Sequence, residues 1–132
     1  MEKKIIYSLI ATHEKPLADF SDYEGTFKQD CLNILKDIYI NSIKAMEYED
    51  FMIFYINENH ITYMILTEKS FPNNVALQCL DSIKTEFNQT YEGGDLNSVP
   101  NFGLNNEFQE KLKTKVNYYN EYKIHEAEEI ID

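Results

Sequence analysis

The sequence contains no arginine and no tryptophan, and all 12 of its basic residues are lysines. Without arginine, the chain lacks the planar fork that binds a phosphate or a carboxylate through two parallel hydrogen bonds. Its 23 acidic residues give a formal net charge of −11. Because nucleic-acid binding depends on neutralising phosphates, we expect no nucleic-acid partner, and no docking on anionic lipid by charge alone.

Long hydrophobic runs are also missing. No apolar stretch approaches the roughly 20 residues that a helix needs to cross a bilayer. The apolar residues 5–11 are followed by His13, Glu14 and Lys15 rather than by the small residues of a signal-peptide cleavage site. We therefore expect a cytosolic chain, and its 132 residues, 43% of them hydrophobic, suit one globular domain.

Cysteine and histidine are scarce. Cys31 and Cys79 are too few for a disulfide framework, and each falls on the apolar side of a predicted helix, so we expect two buried, reduced thiols. His13, His60 and His125 are scattered, and no spacing of cysteines and histidines indicates zinc. None of the histidines has a nucleophile or an acid partner at a recognisable spacing. We expect no enzyme activity, no cofactor and no metal site.

The hydrophobic pattern predicts the order strand, strand, helix, strand, strand, helix, helix. Residues 3–12 and 17–21 are predicted as two strands, and residues 51–68 as a hairpin, because they are rich in β-branched and aromatic residues. Residues 41–49 are predicted as a connection. One further strand is possible near Ser70.

Three helices are predicted from apolar residues spaced along one helical face. The first stripe is widened by Leu32, Tyr39 and Ile43. The second helix starts near Ser70, and the third is capped by Asn105 or its neighbour. The three stripes are Phe27, Cys31, Ile34, Leu35 and Ile38, then Ala76, Cys79, Leu80, Ile83 and Phe87, then Phe108, Leu112, Val116 and Tyr119.

Both strands of the predicted hairpin are apolar on both faces. Residues 51–56 (FMIFYI) run without a polar residue, whereas a strand with one wet face alternates apolar and polar side chains. Helices must therefore cover both faces of the sheet. We expect an α+β fold, a three-layer α/β/α sandwich with the first helix on one face and the last two on the other.

Several stretches of the sequence resemble the longin domain of vesicle R-SNAREs, the long vesicle-associated membrane proteins or synaptobrevin-like family. The similar stretches are IIYSLIA at 5–11, LADF at 17–20, GTF at 25–27, residues 51–63, CLDSIKTEF at 79–87, YEG at 91–93 and LNNEF at 104–108. The resemblance covers roughly residues 4–120 in order. It implies the profilin-like longin fold, a five-stranded antiparallel sheet between one helix and two. It also implies a regulatory, non-enzymatic domain at the N-terminus of an R-SNARE.

The resemblance also predicts how the chain is divided. Residues 1–120 would form the longin domain, and residues 121–132 would begin a linker toward a SNARE motif absent from this chain. A C-terminal membrane anchor would follow that motif. Ile124, Ala127 and Ile131 have the spacing of a starting heptad repeat, although a continuing third helix explains them equally. We expect a soluble, excised fragment of a parent anchored on the cytoplasmic side of endomembranes or vesicles.

The partners implied by the resemblance are other trafficking proteins. They include the parent's own SNARE motif in a closed conformation, cognate SNAREs and trafficking adaptors, and the implied role is control of SNARE pairing and sorting. A longin-fold subunit of an adaptor coat or a vesicle-tethering complex is the alternative. A profilin-like or sensory small-molecule binder would need a polar-lined pocket that the sequence does not show.

A protein-binding groove is expected between the first helix and the strand that begins near Met46. One helix cannot cover a whole sheet face, and an amphipathic partner segment can lay its apolar face into the remaining space. Core packing is the alternative explanation for each lining residue taken alone. The expected lining residues are Leu32, Leu35, Tyr39, Ala45, Met46 and Tyr48.

Overall fold

The computed structural model describes residues 4–123, so Ile124, Ala127 and Ile131 lie outside the described residues. Short 3-10 turns occupy Leu35–Asp37 and Leu96–Ser98, and a π-helical turn occupies Tyr119–Lys123. The main elements are β1 (Ile5–Thr12), β2 (Lys15–Phe20), α1 (Phe27–Ile34), β3 (Ile43–Tyr48), β4 (Phe51–Glu58), β5 (Ile61–Glu68), α2 (Asn73–Tyr91) and α3 (Asn105–Tyr118).

The five strands form one sheet in the order β2-β1-β5-β4-β3, and all neighbouring strands are antiparallel. Two-residue turns join β1 to β2, β3 to β4 and β4 to β5. α1 lies between β2 and β3 in the chain, and these are the two edge strands. The chain must therefore cross a whole face of the sheet at α1.

The helices divide between the two faces, as the sequence predicts. Cys31 of α1 and Leu35 of the following turn pack on one face, against buried residues of β1, β4 and β5. α2 and α3 pack together on the other face through residues such as Leu80, Phe87 and Phe108. The expected three-layer α/β/α sandwich is therefore present. The sheet residues of the α1-side cluster are Ile6, Tyr7, Leu9, Ala11, Ile53, Tyr55, Met64 and Leu66.

The prediction that residues 41–49 are a connection is wrong, because they contain the edge strand β3. Five of its six residues are exposed. A strand with neither face fully buried has no reason to alternate apolar and polar side chains, so its sequence carries little pattern. The further strand suggested near Ser70 is also wrong, because Ser70 lies in the turn between β5 and α2.

The first helix is shorter than its apolar stripe predicts. α1 ends at Ile34, a 3-10 turn follows, and Ile38 is already extended, with φ −69° and ψ 133°. Tyr39 therefore lies in a loop, and Ile43 lies in β3. The cause is tertiary, since the loop's backbone N–H groups donate to side chains of β4 instead of continuing the helical ladder.

A candidate protein-binding groove

α1 covers only part of its face of the sheet. An eight-residue helix is about 12 Å long and about 10 Å wide, whereas five strands spaced about 4.8 Å apart extend about 19 Å from the first to the last. The sheet residues beneath α1 are buried, but most of β3 is exposed. A strip of the sheet along β3 therefore stays open beside the helix, and we call this strip the groove.

The pairing of β3 with β4 determines which β3 side chains border the groove. Met46 is opposite Ile53, a member of the α1-side cluster, and Tyr48 itself packs against that cluster. Ala45 is opposite Phe54, which belongs to the core under α2 and α3. Directly opposed side chains share a face of the sheet. Met46 and Tyr48 therefore border the groove, whereas the side chain of Ala45 lies on the other face.

The helical side of the groove has a buried part and an exposed rim. Leu35 is only 4% exposed and belongs to the buried cluster beneath α1. Leu32 is half-buried against the same cluster, and Tyr39 is 64% exposed in the loop after the 3-10 turn. Of the six residues expected to line the groove, the structure thus places all but Ala45 on the α1 side of the sheet.

Exposed apolar side chains concentrate around β3. Tyr39 and Met46 are exposed on the α1 side, and Ile43, 63% exposed, lies opposite Ile56 on the other side. The apolar surface therefore wraps around the edge of the sheet, as at protein-interaction sites. Among the described residues the exposed large apolar side chains are Tyr23, Tyr39, Ile40, Ile43, Met46, Leu77 and Tyr118.

The sequence interpretation missed Ile40 and Ile43 as surface residues. The apolar stripe predicted for the first helix includes Ile43 but not Ile40. The available signal was two isoleucines flanking Asn41 and Ser42, where turn-forming residues make a continuous buried helix face implausible. Both isoleucines are more than 60% exposed, at 70% and 63%.

Hydrogen bonds to β4 fix the loop between α1 and β3. The N–H of Tyr39 donates to the Tyr55 hydroxyl (3.3 Å), and the N–H of Asn41 donates to the Asn57 Oδ1 (2.9 Å). The Ser42 hydroxyl donates to the carbonyl of Tyr39 (2.6 Å). The exposed side chains of this loop are therefore presented by an ordered backbone, which lowers the entropic cost of binding a partner.

β3 also presents a free strand edge. The N–H of Asn57 donates to the carbonyl of Ser42 at 2.8 Å, and hydrogen-bonded pairs alternate along the two strands from that point. An extended segment can pair with the unused groups of such an edge. Every second residue of β3 points its N–H and C=O groups away from the sheet, and these residues are Ile43, Ala45 and Glu47.

Each end of the groove has one interaction between β3 and the α1 side. At one end, the pKa of Tyr48 is raised by desolvation first and by the carboxylate of Asp30 on α1 second. At the other end, the Lys44 ammonium on β3 lies 4.7 Å from the centroid of the Tyr39 ring. The exposed Tyr39 ring is therefore held against β3 by this cation–π contact.

Asp19 on β2 is a buried carboxylate with several polar neighbours, an arrangement that also occurs in catalytic sites. It is 6% exposed and accepts hydrogen bonds from the Tyr7 hydroxyl (2.9 Å) and the Asn105 Nδ2 (3.0 Å), with the Lys28 ammonium 3.4 Å away. Burial, and then the Asp19 charge, raise the pKa of Tyr7. Both carboxylate oxygens are occupied by the protein, so Asp19 joins α1, β1 and α3 and acts structurally.

Cys31 and Cys79 are both free and buried, as the sequence predicts. Burial raises the pKa of each thiol to about 12. Within residues 4–123, no three side chains of His, Cys, Asp or Glu meet as a metal-ligand set. None of the helices in that range has the length and apolar character to cross a membrane.

Comparison with known proteins gives one family and a consistent set of relatives. The longin model, described as a regulated-SNARE-like domain, matches residues 17–112. Vesicle-associated membrane protein 722 of Arabidopsis thaliana is 29% identical over 118 residues, 89% of this chain and 53% of that protein. Vesicle-associated membrane protein 7B of Dictyostelium discoideum is 28% identical over 116 residues, 87% of this chain and 44% of that protein.

A human relative extends this set. Vesicle-associated membrane protein 7 of Homo sapiens is 25% identical over 120 residues, which is 90% of this chain and 54% of that protein. The chain thus spans about half the length of the curated relatives it matches.

Proposed function

The chain belongs to the longin family, and from that premise we propose that it is the N-terminal regulatory domain of a vesicle SNARE. In this proposal it controls SNARE pairing and sorting in vesicle trafficking and membrane fusion by binding other proteins. The parent protein acts on the cytoplasmic side of endomembranes or vesicles. Membership of the longin family confirms the expectation that the chain is not an enzyme.

The observation that carries this proposal is the preformed apolar groove between α1 and β3. Leu35 is buried in the cluster beneath α1, Tyr39 and Met46 are exposed beside that cluster, and a free strand edge runs along β3. An apolar surface held open by an ordered backbone is the usual form of a peptide-binding site. A monomeric domain gains nothing in stability from exposing these side chains, so a binding role explains them best.

The proposed occupant is the parent's own SNARE motif. A SNARE motif pairs through one apolar heptad face, and that face cannot contact cognate SNAREs while it is buried in the groove. The domain would therefore hold the SNARE motif closed until a cognate SNARE or a trafficking adaptor displaces it. Because the domain is strongly acidic, charge would orient the partner more than it would add affinity.

The groove proposal is tested by replacing Met46 with Glu. A charge at the rim must be desolvated when an apolar face docks, so we expect binding of the parent's SNARE segment to weaken about 5- to 150-fold, or ~1–3 kcal/mol. Isothermal titration calorimetry measures the dissociation constant. Leu77→Glu is the matched control, because Leu77 is 37% exposed on α2 and Met46 is 38% exposed.

The proposal predicts that Met46→Glu weakens binding of the SNARE segment and that Leu77→Glu does not. Leu77→Glu should bind like the wild type, and both variants should keep the wild-type circular dichroism spectrum because both side chains are exposed. Equal weakening by the two variants, or weakening by Leu77→Glu alone, would place the binding surface elsewhere.

The alternative role is that of a constitutive subunit of an adaptor coat or a tethering complex. The sequence of the natural transcript beyond the codon for Asp132 distinguishes this role from the regulatory one. The regulatory proposal expects a heptad-repeat segment of about 55–60 residues with an arginine near its middle, then an apolar anchor or a lipidated cysteine. A stop codon directly after residue 132 in the natural transcript would favour the assembly subunit. The relatives named above are all vesicle-associated membrane proteins, which supports the first outcome.

A further inference from the structure

Two histidines that are far apart in the sequence meet at one end of the sheet. β1 and β5 are antiparallel neighbours, and Thr12 is opposite Ile61 at the end of their pairing. The next residues outward are His13, in the β1–β2 turn, and His60, in the β4–β5 turn. Their ring centroids are 5.5 Å apart, and the ring planes are inclined by 31°. The fold thus creates a pair that the sequence spacing does not show.

Both histidines are held in the left-handed backbone region. His13 has φ +54°, and His60 has φ +66°. Asn59 also has positive φ, so Asn59 and His60 form a type I′ turn, whose second position strongly favours glycine. Histidine is one of the residues enriched at positive φ, so both turns hold their histidine in an ordinary hairpin conformation.

We propose that His13 and His60 together bind a divalent transition-metal ion, for which Zn²⁺ is the probe. Imidazole is a preferred ligand of Zn²⁺, Cu²⁺ and Ni²⁺. A zinc–nitrogen distance of about 2.1 Å places the metal about 3.2 Å from each ring centroid. Two centroids 5.5 Å apart then subtend about 120° at the metal, close to the tetrahedral angle of zinc sites.

The surroundings leave room for the remaining ligands. A cavity of about 220 Å³ lies beside the pair and is lined by both histidines, together with Asn57 and Thr62. Its volume accommodates several water molecules, which would fill the open coordination positions. The charged side chains on its wall are Glu14 and Lys36, whose charges cancel. The affinity therefore comes from the two imidazoles.

A metal ion bound by both histidines would link the β1–β2 turn to the β4–β5 turn. His13 and His60 are adjacent only when β1 is paired with β5, so a metal that binds both stabilises the folded sheet over the unfolded chain. The two proposals can be tested separately, because neither histidine is a groove residue, although Leu35 also lines the cavity beside the pair.

The test measures the thermal midpoint with and without excess ZnCl₂. We expect Zn²⁺ to raise the midpoint of the wild type and Mg²⁺ to leave it unchanged, because Mg²⁺ selects oxygen ligands. His13→Gln and His60→Asn should each lose the shift, and Asn tolerates the positive φ of residue 60. His125→Gln is the matched control, since His125 is the third and last histidine of the chain, and it should keep the full shift.

A second readout needs no variant. Substoichiometric Cu²⁺ should broaden the amide signals of residues 12–15 and 58–61 in the wild-type spectrum before any others. A chelator that removes the metal should restore these signals. A Zn²⁺ shift that persists in His13→Gln, a shift lost in His125→Gln, or no shift in the wild type would each overturn the proposal.

Discussion

At the residue scale, Cys31 and Cys79 report on how well each helix is packed, because they lie on opposite faces of the sheet. Each is 0% exposed, and burial raises the pKa of each thiol to about 12. We predict that an aromatic disulfide reagent at neutral pH labels both slowly in the native protein, since it attacks the accessible thiolate. In denaturant both thiols become accessible, and both should be labelled rapidly.

The labelling time course also has a clear contrary outcome. Rapid labelling of Cys31 alone would mean that α1 is detached from the sheet in solution. Rapid labelling of Cys79 alone would mean the same for α2.

The residues expected to line the groove show which properties of a residue can be predicted from the sequence and which cannot. The apolar character of Leu35 and Met46 is evident in the sequence, but their exposures of 4% and 38% are not. The sequence interpretation places Ala45 in the groove with Met46 and Tyr48, on the approach to the third predicted strand. Its side chain points to the other face because neighbouring residues of a strand alternate. That error could only be avoided once residues 43–48 were known to be a strand.

At the element scale, long amphipathic helices were predictable and the edge strand was not. α2 and α3 have 19 and 14 residues, and their apolar stripes are buried along their whole length. α1 has eight residues, and Tyr55 and Asn57 of β4 bind the chain just beyond it. Where such long-range hydrogen bonds end an element, local periodicity does not reveal its boundary.

The free edge of β3 predicts an alternating pattern of amide hydrogen exchange. The N–H groups of Lys44, Met46 and Tyr48 face β4 and should be protected, because native hydrogen bonds must open before exchange. The N–H groups of Ile43, Ala45 and Glu47 face solvent and should exchange rapidly. Residue-resolved exchange followed by nuclear magnetic resonance measures both sets in one experiment.

The amides of β4 are the internal control for this pattern. β4 has a neighbour on each side, so its amides should be protected without alternation. Uniform protection along β3 would contradict the free edge and would indicate that another strand, such as one from a second copy, pairs with it.

At the scale of the whole molecule, the buried thiols should make the fold sensitive to alkali. The pKa of Cys31 and of Cys79 is raised from 9.0 to about 12 on folding. Below about pH 9 both thiols are protonated in both states; between about pH 9 and pH 12 the unfolded chain holds fewer protons. The free energy of unfolding should therefore fall as the pH rises through this window.

Urea titrations at successive pH values measure that fall. Each thiol contributes a slope of at most ~1.4 kcal/mol per pH unit. Cys79→Ala should lower the stability at neutral pH but reduce the alkaline slope, because one titrating group is removed. An unchanged slope in Cys79→Ala would show that this thiol is not the source.

The layer architecture could be inferred from the sequence, whereas the strand order could not. Residues 51–56 are apolar on both faces, and this requires helices on both sides of the sheet. The resemblance to longin domains, now confirmed by the family model, implied the same arrangement. The order β2-β1-β5-β4-β3 depends on pairing between distant strands such as β1 and β5, which no local pattern encodes. The contact between His13 and His60 follows from that order.

The central claim is that a SNARE segment docks between α1 and β3. The most direct measurement is a titration of the isotope-labelled domain with that segment, followed by backbone amide chemical shifts. We predict that the largest shifts map to residues 32–48, with Leu32, Tyr39, Met46 and Tyr48 among them, and that Met46→Glu suppresses them. Shifts that cluster instead on the opposite face, around residues 108–118 of α3, would contradict the claim.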